Sequence, residues 1–373
     1  MTAGAPLPWY VVSNSADVPS PALLLYPDRI EENLRRMIRV AGGVERLRPH
    51  LKTHKLPEVV RQQLALGLTR FKCATIAEAE MAGQAGVPDV LLAYQPVGPN
   101  VSRLLKLIRA YPRTHFSTIS DDADVLRLLS AASTASGVTL DVLLDLDCGQ
   151  HRTGVLPGPQ AAGLYRLIAE LPGLRPAGLH AYDGHLQQTD PAIRAEACEA
   201  AIVPVRALWE ELVRAGLPVP RTVAGGTPTF PVHAARGDVE CSPGTCVLWD
   251  HGYATRLPDL DFVVAAMLLT RVISRPGKDL LCLDLGHKAV ASENPPPRVH
   301  FPDLPEARPV AHSEEHLVVE TPRADAHPIG SCLYGVPWHI CPTVALYATA
   351  VVVRDGVAVG QWEITARSRS LTI

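Results

Sequence analysis

A chain of 373 residues with 47% hydrophobic and 20% charged side chains is long enough for one large barrel plus a smaller domain. A formal net charge of −3 with no basic stripe excludes a nucleic-acid footprint. No apolar run can span a membrane, Met1–Trp9 lacks a secretory pattern, and the eight cysteines form no CxxC or dense framework; together these predict a cytoplasmic protein with reduced thiols and no membrane partner.

The first apolar run, Ala22–Tyr26, reads as a strand, followed by a helix over Arg29–Val40 with Ile30, Leu34, Met37 and Ile38 on one face. Leu47–Lys52 reads as the second strand, leading to a helix over Leu56–Ala65 with Pro57 in its first turn. Further strands are expected at Phe71–Thr75, Val90–Gln95, His115–Ile119, Leu140–Asp145, Gly178–Tyr182 and Thr222–Gly225. Helical stretches at Ile76–Ala85, Ala161–Leu171 and Ala192–Ala215 lie between them, and Cys246–Asp250 reads as a barrel edge or a crossing strand. Strand and helix thus alternate about eight times over roughly 230 residues, the pattern of a (β/α)₈ TIM-type barrel. A doubly wound open sheet is the competing reading, but no GxGxxG follows the first strand. After Leu260 the strands Phe262–Ile273, Leu280–Leu285, His316–Glu320, Thr343–Arg354 and Val357–Ala366 follow one another without long helices. The expected organisation is a barrel over residues 20–255 and a β-rich domain from residues 1–19 and 256–373.

In such a barrel, functional groups collect where strands end and βα-loops begin. Lys52, Thr75 and Gln95 close three expected strands; the later ones run into Asp147–Gly154, His180–His185 and Ala224–Thr229. Lys52 reads either as a surface lysine in a basic loop or as an amine that forms a Schiff base or acts as a base. Its neighbours His50 and His54 read as structural or as tuning the lysine. Gly225-Gly226-Thr227 and Ser242-Pro243-Gly244-Thr245 are ordinary turns taken singly, but together at the last strands they suit a phosphate. His339-Ile340-Cys341, read as extended, would present imidazole and thiol to one side, where N and S donors suit zinc. The alternative is a buried cysteine beside a satisfied histidine. Two protein ligands cannot close a structural site, so a metal here would keep open positions and act as a Lewis acid. Asp284–Lys288 and Ser292-Glu293-Asn294 read either as solvated turns or as loops that reach an active site of this chain or a partner.

Arg48–Lys55, Lys72–Glu80, Gly225–Pro228 and His339–Thr343 resemble, in order, the motifs of the D-threonine aldolase / D-serine dehydratase family. These are fold-type III pyridoxal-phosphate enzymes with an alanine-racemase-like barrel, and the resemblance runs from about Ser20 to the C-terminus. It implies that Lys52 is the Schiff-base lysine. It implies Gly225, Gly226, Thr227, Gly244 and Thr245 near the phosphate, and Arg152 and Tyr182 around the pyridoxal ring. Thr75 and Gln95 join the cofactor-binding set as strand-end residues. His339 and Cys341 would hold a divalent metal (zinc, manganese or magnesium). Aldolases of the family carry His-x-Asp at the metal pair, whereas the dehydratases carry His-x-Cys. The aldolases also place a histidine after the tyrosine that matches Tyr182, where His185 is the near candidate. The implied activity is retro-aldol cleavage of a D-β-hydroxy-α-amino acid to glycine and an aldehyde. Dehydration to a 2-oxo acid and ammonia is the alternative, with a racemase, a non-catalytic cofactor-binding protein and a barrel hydrolase more remote. The family also implies a homodimer.

Overall fold

Phe71–Cys73, Val90–Leu92 and Val142–Leu146 are buried along their whole length, as parallel strands covered on both faces must be. The computed structural model describes residues 7–373, so the reading that residues 1–19 join the β-rich domain falls, at residues 1–6, outside the described residues. In chain order, β1 (Ala22–Leu25) and α1 (Pro27–Ala41) precede α2 (Pro57–Ala65), β2 (Arg70–Cys73), α3 (Ile76–Gln84), β3 (Asp89–Leu92) and α4 (Pro99–Ala110). Then come β4 (His115–Ser120), α5 (Ala123–Ser136), β5 (Leu140–Asp147), α6 (Pro159–Glu170), β6 (Leu174–Tyr182) and α7 (Pro191–Arg214). β7 (Thr222–Ala224), α8 (Phe230–Arg236), β8 (Glu240–Cys241) and α9 (His251–Arg256) follow. The remainder is β9 (Ala266–Gly277), β10 (Leu280–Leu283), β11 (Val299–His300), β12 (Arg308–His312), β13 (Leu317–Glu320), β14 (Cys332–Pro337), α10 (Ile340–Val344), β15 (Thr349–Arg354) and β16 (Val357–Glu363). Two compact units result: Leu34–Cys246 with the tail Ser368–Ile373, and the stretch through Asn33 with Val247–Arg367. Among the described residues, no helix is long and apolar enough to cross a membrane.

In the first unit β2 to β8 lie side by side in chain order, all parallel, each joined to the next by one of the helices α3–α8. Residues 47–50 occupy the eighth position. Leu47 bridges Cys241 of β8 and His50 bridges Lys72 of β2, both in parallel sense. The Arg48 N–H donates to Cys241 O at 2.8 Å, and the Lys72 N–H donates to Pro49 O at 2.9 Å. This is the strand expected over Leu47–Lys52, cut short at His50. There the His50 Nδ1 accepts the Lys52 N–H at 3.2 Å and turns the chain into a single 3₁₀ turn over Leu51–Thr53. Lys52 therefore sits one turn beyond the strand end.

The fully buried Arg48 side chain anchors the closure. It donates twice to Asp89, at 2.8 and 2.9 Å, and once to Glu240 at 2.6 Å. Both carboxylates sit at strand starts, the face of a barrel that serves stability. Removing one partner of such a buried pair typically costs about 3–5 kcal/mol. The same face carries His115, whose Nε2 lies 2.9 Å from Asp141, while its Nδ1 lies 3.8 Å from Asp89. The Asp141 bond, then the Asp89 bond, raise its pKa to about 9. A raised folded-state value stabilises the fold fully below the unfolded value of about 6.5, and that contribution fades as pH rises through 9. Urea midpoints are therefore expected to fall between pH 6.5 and 9, and a His115→Gln variant should lack that slope. Parallel profiles for the two proteins would refute it. The half-exposed ring makes the effect modest.

The second unit corrects one expectation. Ala22–Tyr26, read as the first barrel strand, supplies β1 of a mixed sheet, antiparallel to β9 and parallel to β15. A short, fully buried apolar run fits either kind of sheet, so pattern alone does not assign it. β9 is the long central strand, flanked by β10 and β14, and β15–β16 form a hairpin whose two-residue turn is Asp355–Gly356. Leu24, Tyr26, Met267, Leu269, Tyr334 and Val351 fill the core of this unit. A second correction falls on His339 and on the expected strand Thr343–Arg354. The chain leaves β14 at Pro337, forms α10, and becomes extended again only at Thr349. Cys246–Asp250, read as extended, is instead part 3₁₀ turn and part N-cap of α9.

Candidate active site

Tyr182 is the last residue of β6, and three basic side chains surround its ring. The Lys72 Nζ lies 5.4 Å from the ring centroid, the Lys52 Nζ 5.6 Å, and the Arg152 guanidinium carbon 5.0 Å. These distances fall within the range of cation–π attraction. Lys52 and Tyr182 are partly exposed, Arg152 is exposed, and Lys72 is buried. His180, two residues before Tyr182, points Nδ1 at Asp145 Oδ1 at 2.6 Å. Burial lowers the pKa of His180 despite that carboxylate, and burial followed by the Lys52 charge lowers that of His50. The Tyr182 ring thus stands among basic side chains.

The two glycine loops meet at Thr227. Its hydroxyl accepts the N–H of Gly244 at 3.2 Å and of Thr245 at 3.1 Å. A Cβ on Gly226 would come within 3.1 Å of the Tyr182 ring, and one on Gly244 within 3.1 Å of the Thr53 hydroxyl and 3.2 Å of the His50 Cβ. Gly225–Thr227, Gly244–Thr245, Tyr182 and the Lys52 turn are therefore one neighbourhood, with backbone drawn close where any side chain would intrude. An amine, an aromatic ring and a cradle kept free of side chains suit pyridoxal phosphate, with its aldehyde, planar ring and phosphate.

Other expected residues occupy related positions. The Thr75 Oγ1 caps α3 by accepting the Glu78 N–H at 3.1 Å. The Gln95 Oε1 accepts the Ser120 hydroxyl at 2.6 Å and the Asp121 N–H at 2.9 Å. Both lie just past strand ends, the Thr75 oxygen bound within its own loop and helix start and the Gln95 oxygen bound across to the end of β4. His185 is exposed and packs over Gly149 in the β5–α6 loop.

Beneath Tyr182 lies a group that no sequence spacing announces. Asp183 takes the Thr229 hydroxyl at 2.8 Å and faces the His233 Nε2 at 2.7 Å; the Cys198 Sγ is 3.4 Å from the same nitrogen. The Asp183, Cys198 and His233 ligand atoms lie within 4.8 Å of one another, close enough for a metal. Burial, however, pushes the Cys198 thiol up to about 12, and Asp183 is engaged on both oxygens. The group acts as a brace that ties the end of β6 to α7 and α8.

In the second unit His339 is the N-cap residue of α10 and Cys341 lies in its first turn. Their side chains hydrogen-bond to each other. The pairing expected from an extended strand thus arises from a helix start instead. The His339 Nδ1 lies 2.6 Å from Glu293 Oε1. Burial disfavours the charged ring, but the Cys341 and Glu293 contacts outweigh it and hold the pKa up at about 9. The buried Asp250 carboxylate, raised to about 6 by burial, accepts the Ile340 N–H at 3.0 Å and fixes the helix start. An imidazole and a thiol side by side, with a carboxylate on the ring's Nδ1, match the donor set of a divalent-metal site and its orienting partner.

A family model described as alanine racemase, N-terminal domain, matches residues 26–250, and one described as a putative serine dehydratase domain matches residues 265–353. The D-threonine aldolase of Arthrobacter sp is 35% identical over 362 residues, covering 95% of this chain and 94% of its own. The crystal structure of D-threonine aldolase from Filomicrobium marinum matches with a TM-score of 0.89 at 32% identity, covering 97% of this chain and 99% of that one. That of D-threo-3-hydroxyaspartate dehydratase from Delftia sp. HT23 matches with a TM-score of 0.81 at 25% identity, covering 93% and 97%. With the barrel, the lysine turn and the stitched glycine loops in place, the chain belongs to the D-threonine aldolase / D-serine dehydratase family of pyridoxal-phosphate lyases.

Proposed function

We propose that the protein is a metal-dependent D-threonine aldolase, cleaving D-β-hydroxy-α-amino acids to glycine and an aldehyde. The observation that carries this reading is the convergence of Lys52 and Arg152 on Tyr182, beside loops joined through Thr227. The 35% identity to an aldolase supports it. Pyridoxal phosphate, when bound, supplies an aldehyde that captures the substrate amine and a ring that accepts the electrons of the broken bond. Lys52 would hold the cofactor through its Nζ. Arg152 and Tyr182 flank the ring, Thr75 and Gln95 line the strand ends, and Gly225, Gly226, Thr227, Gly244 and Thr245 receive the phosphate. His339 and Cys341 would hold a divalent metal, zinc by donor type, which would supply a Lewis acid. His185 receives the β-hydroxyl proton. The working form is a cytoplasmic homodimer, in keeping with the family resemblance and with eight cysteines that form no disulfide.

Cys341 favours a second reading, because the family's dehydratases carry cysteine there. Lys52 would then remove the Cα proton, and loss of the hydroxyl would give a 2-oxo acid and ammonia. Product analysis with D-threonine and D-serine, with and without chelator, separates the two. Acetaldehyde plus glycine supports the aldolase; 2-oxobutyrate or pyruvate plus ammonia supports the dehydratase. Turnover that survives thorough chelation would remove the metal from either scheme.

Glu293 gives a finer test of the metal pair. A carboxylate on the second nitrogen of a ligating histidine sets its tautomer and direction. Glu293→Gln is expected to weaken zinc binding by about 10–100-fold, read by competition with a chromogenic chelator. Unchanged affinity would reduce Glu293 to a surface partner.

A further inference from the structure

Interior positions of a parallel barrel strand normally carry apolar side chains. β2 places a lysine there. Lys72 is 2% exposed, on a strand paired with β3 on one side and bridged to His50 on the other. Lys55 pairs with Glu78 and Lys288 with Glu314, yet among the described residues Lys72 has no carboxylate at ion-pair distance. The groups whose charges reach it are Lys52, Arg152, Asp145, Asp183, His50 and His180. Burial first, then the Lys52 charge, lowers its pKa to about 7. Its Nζ faces the same Tyr182 ring as the Lys52 Nζ, at 5.4 Å against 5.6 Å. A neutral lysine amine beside another cation is the form that attacks aldehydes.

We propose that Lys72 is a second aldehyde-reactive amine beside Tyr182, able to form a carbon–nitrogen double bond with pyridoxal phosphate when Lys52 is removed. The inference rests on the reading that this barrel binds pyridoxal phosphate. In the step, the Lys72 Nζ lone pair attacks the aldehyde carbon and forms the C–N bond. The nitrogen loses two protons overall, and the aldehyde oxygen leaves with them as water. No oxidant or reductant takes part.

The test is to incubate wild type, Lys52→Ala and Lys52→Ala/Lys72→Met with pyridoxal phosphate, reduce with borohydride, digest, and locate the phosphopyridoxyl lysine by mass spectrometry. Wild type is expected to carry the adduct on Lys52, the single variant on Lys72, and the double variant to lose it. An adduct absent from folded Lys52→Ala, or placed on Lys55, overturns the proposal. Failure of wild type to label at Lys52 overturns the cofactor reading instead. Should the variants not fold, native apoprotein treated at pH 7 with acetaldehyde and cyanoborohydride decides the matter. Lys72 should then be alkylated ahead of the exposed Lys106 and Lys278. Labelling of Lys52 with Lys72 untouched would refute its reactivity.

Discussion

A Lys52→Ala variant is expected to lose D-threonine cleavage by about 10³-fold or more while keeping its fold. The backbone of Lys52 does structural work: its N–H is held by His50 in the turn that follows the barrel closure. Alanine keeps that bond. What it removes is one of the two amines facing Tyr182. Circular dichroism and the urea midpoint should match wild type, and the loss should appear in kcat. A variant that retains cofactor through Lys72 but still fails to turn over would separate holding the cofactor from using it. Substantial residual turnover would move the chemistry away from this turn.

Cys341→Ala is the second large effect, expected to lower both zinc content and turnover by about 10²-fold or more, whereas Cys341→Asp should keep part of each. Cys341 contacts His339 directly, and Glu293 holds the ring's Nδ1. Alanine deletes a donor without disturbing the α10 start, which Asp250 secures through the Ile340 N–H. Aspartate restores an anionic donor of the kind that the family's aldolases carry. Metal analysis together with product identity reads the result. Zinc and turnover both intact in Cys341→Ala would refute the metal pair.

The barrel was legible because its strands are short, buried and evenly spaced between helical stretches. Its full membership was not. Ala22–Leu25 reads as a barrel strand yet pairs with β9 and β15, and β8, only two residues long at Glu240–Cys241, carries no strand pattern that spacing could show. Lys52, Tyr182 and the glycine loops could be found from motifs at strand ends. Lys72 could not be assigned a role, because nothing in a lone lysine reveals that its strand is covered on both faces. Asp183, Cys198 and His233 lie on separate elements and meet only in space. His339 and Cys341 were visible as a pair although the wrong backbone was assumed. An N-cap residue followed by a first helical turn also brings the two side chains together.

The closure at residues 47–50 also orders events during synthesis. Arg48 and its partner Glu240 are separated by 192 positions, and the Ser242 hydroxyl reaches back 194 positions to Arg48 O. A nascent chain that has not yet passed Cys241 lacks both the strand that pairs with Leu47 and the loop that joins Thr227. Its first two-thirds or so can form local strand–helix units, but the ring has an open seam where the lysine turn belongs. Cofactor capture during translation is thus confined to its final third. A truncation ending before Glu240 should expose two unpaired strand edges and aggregate.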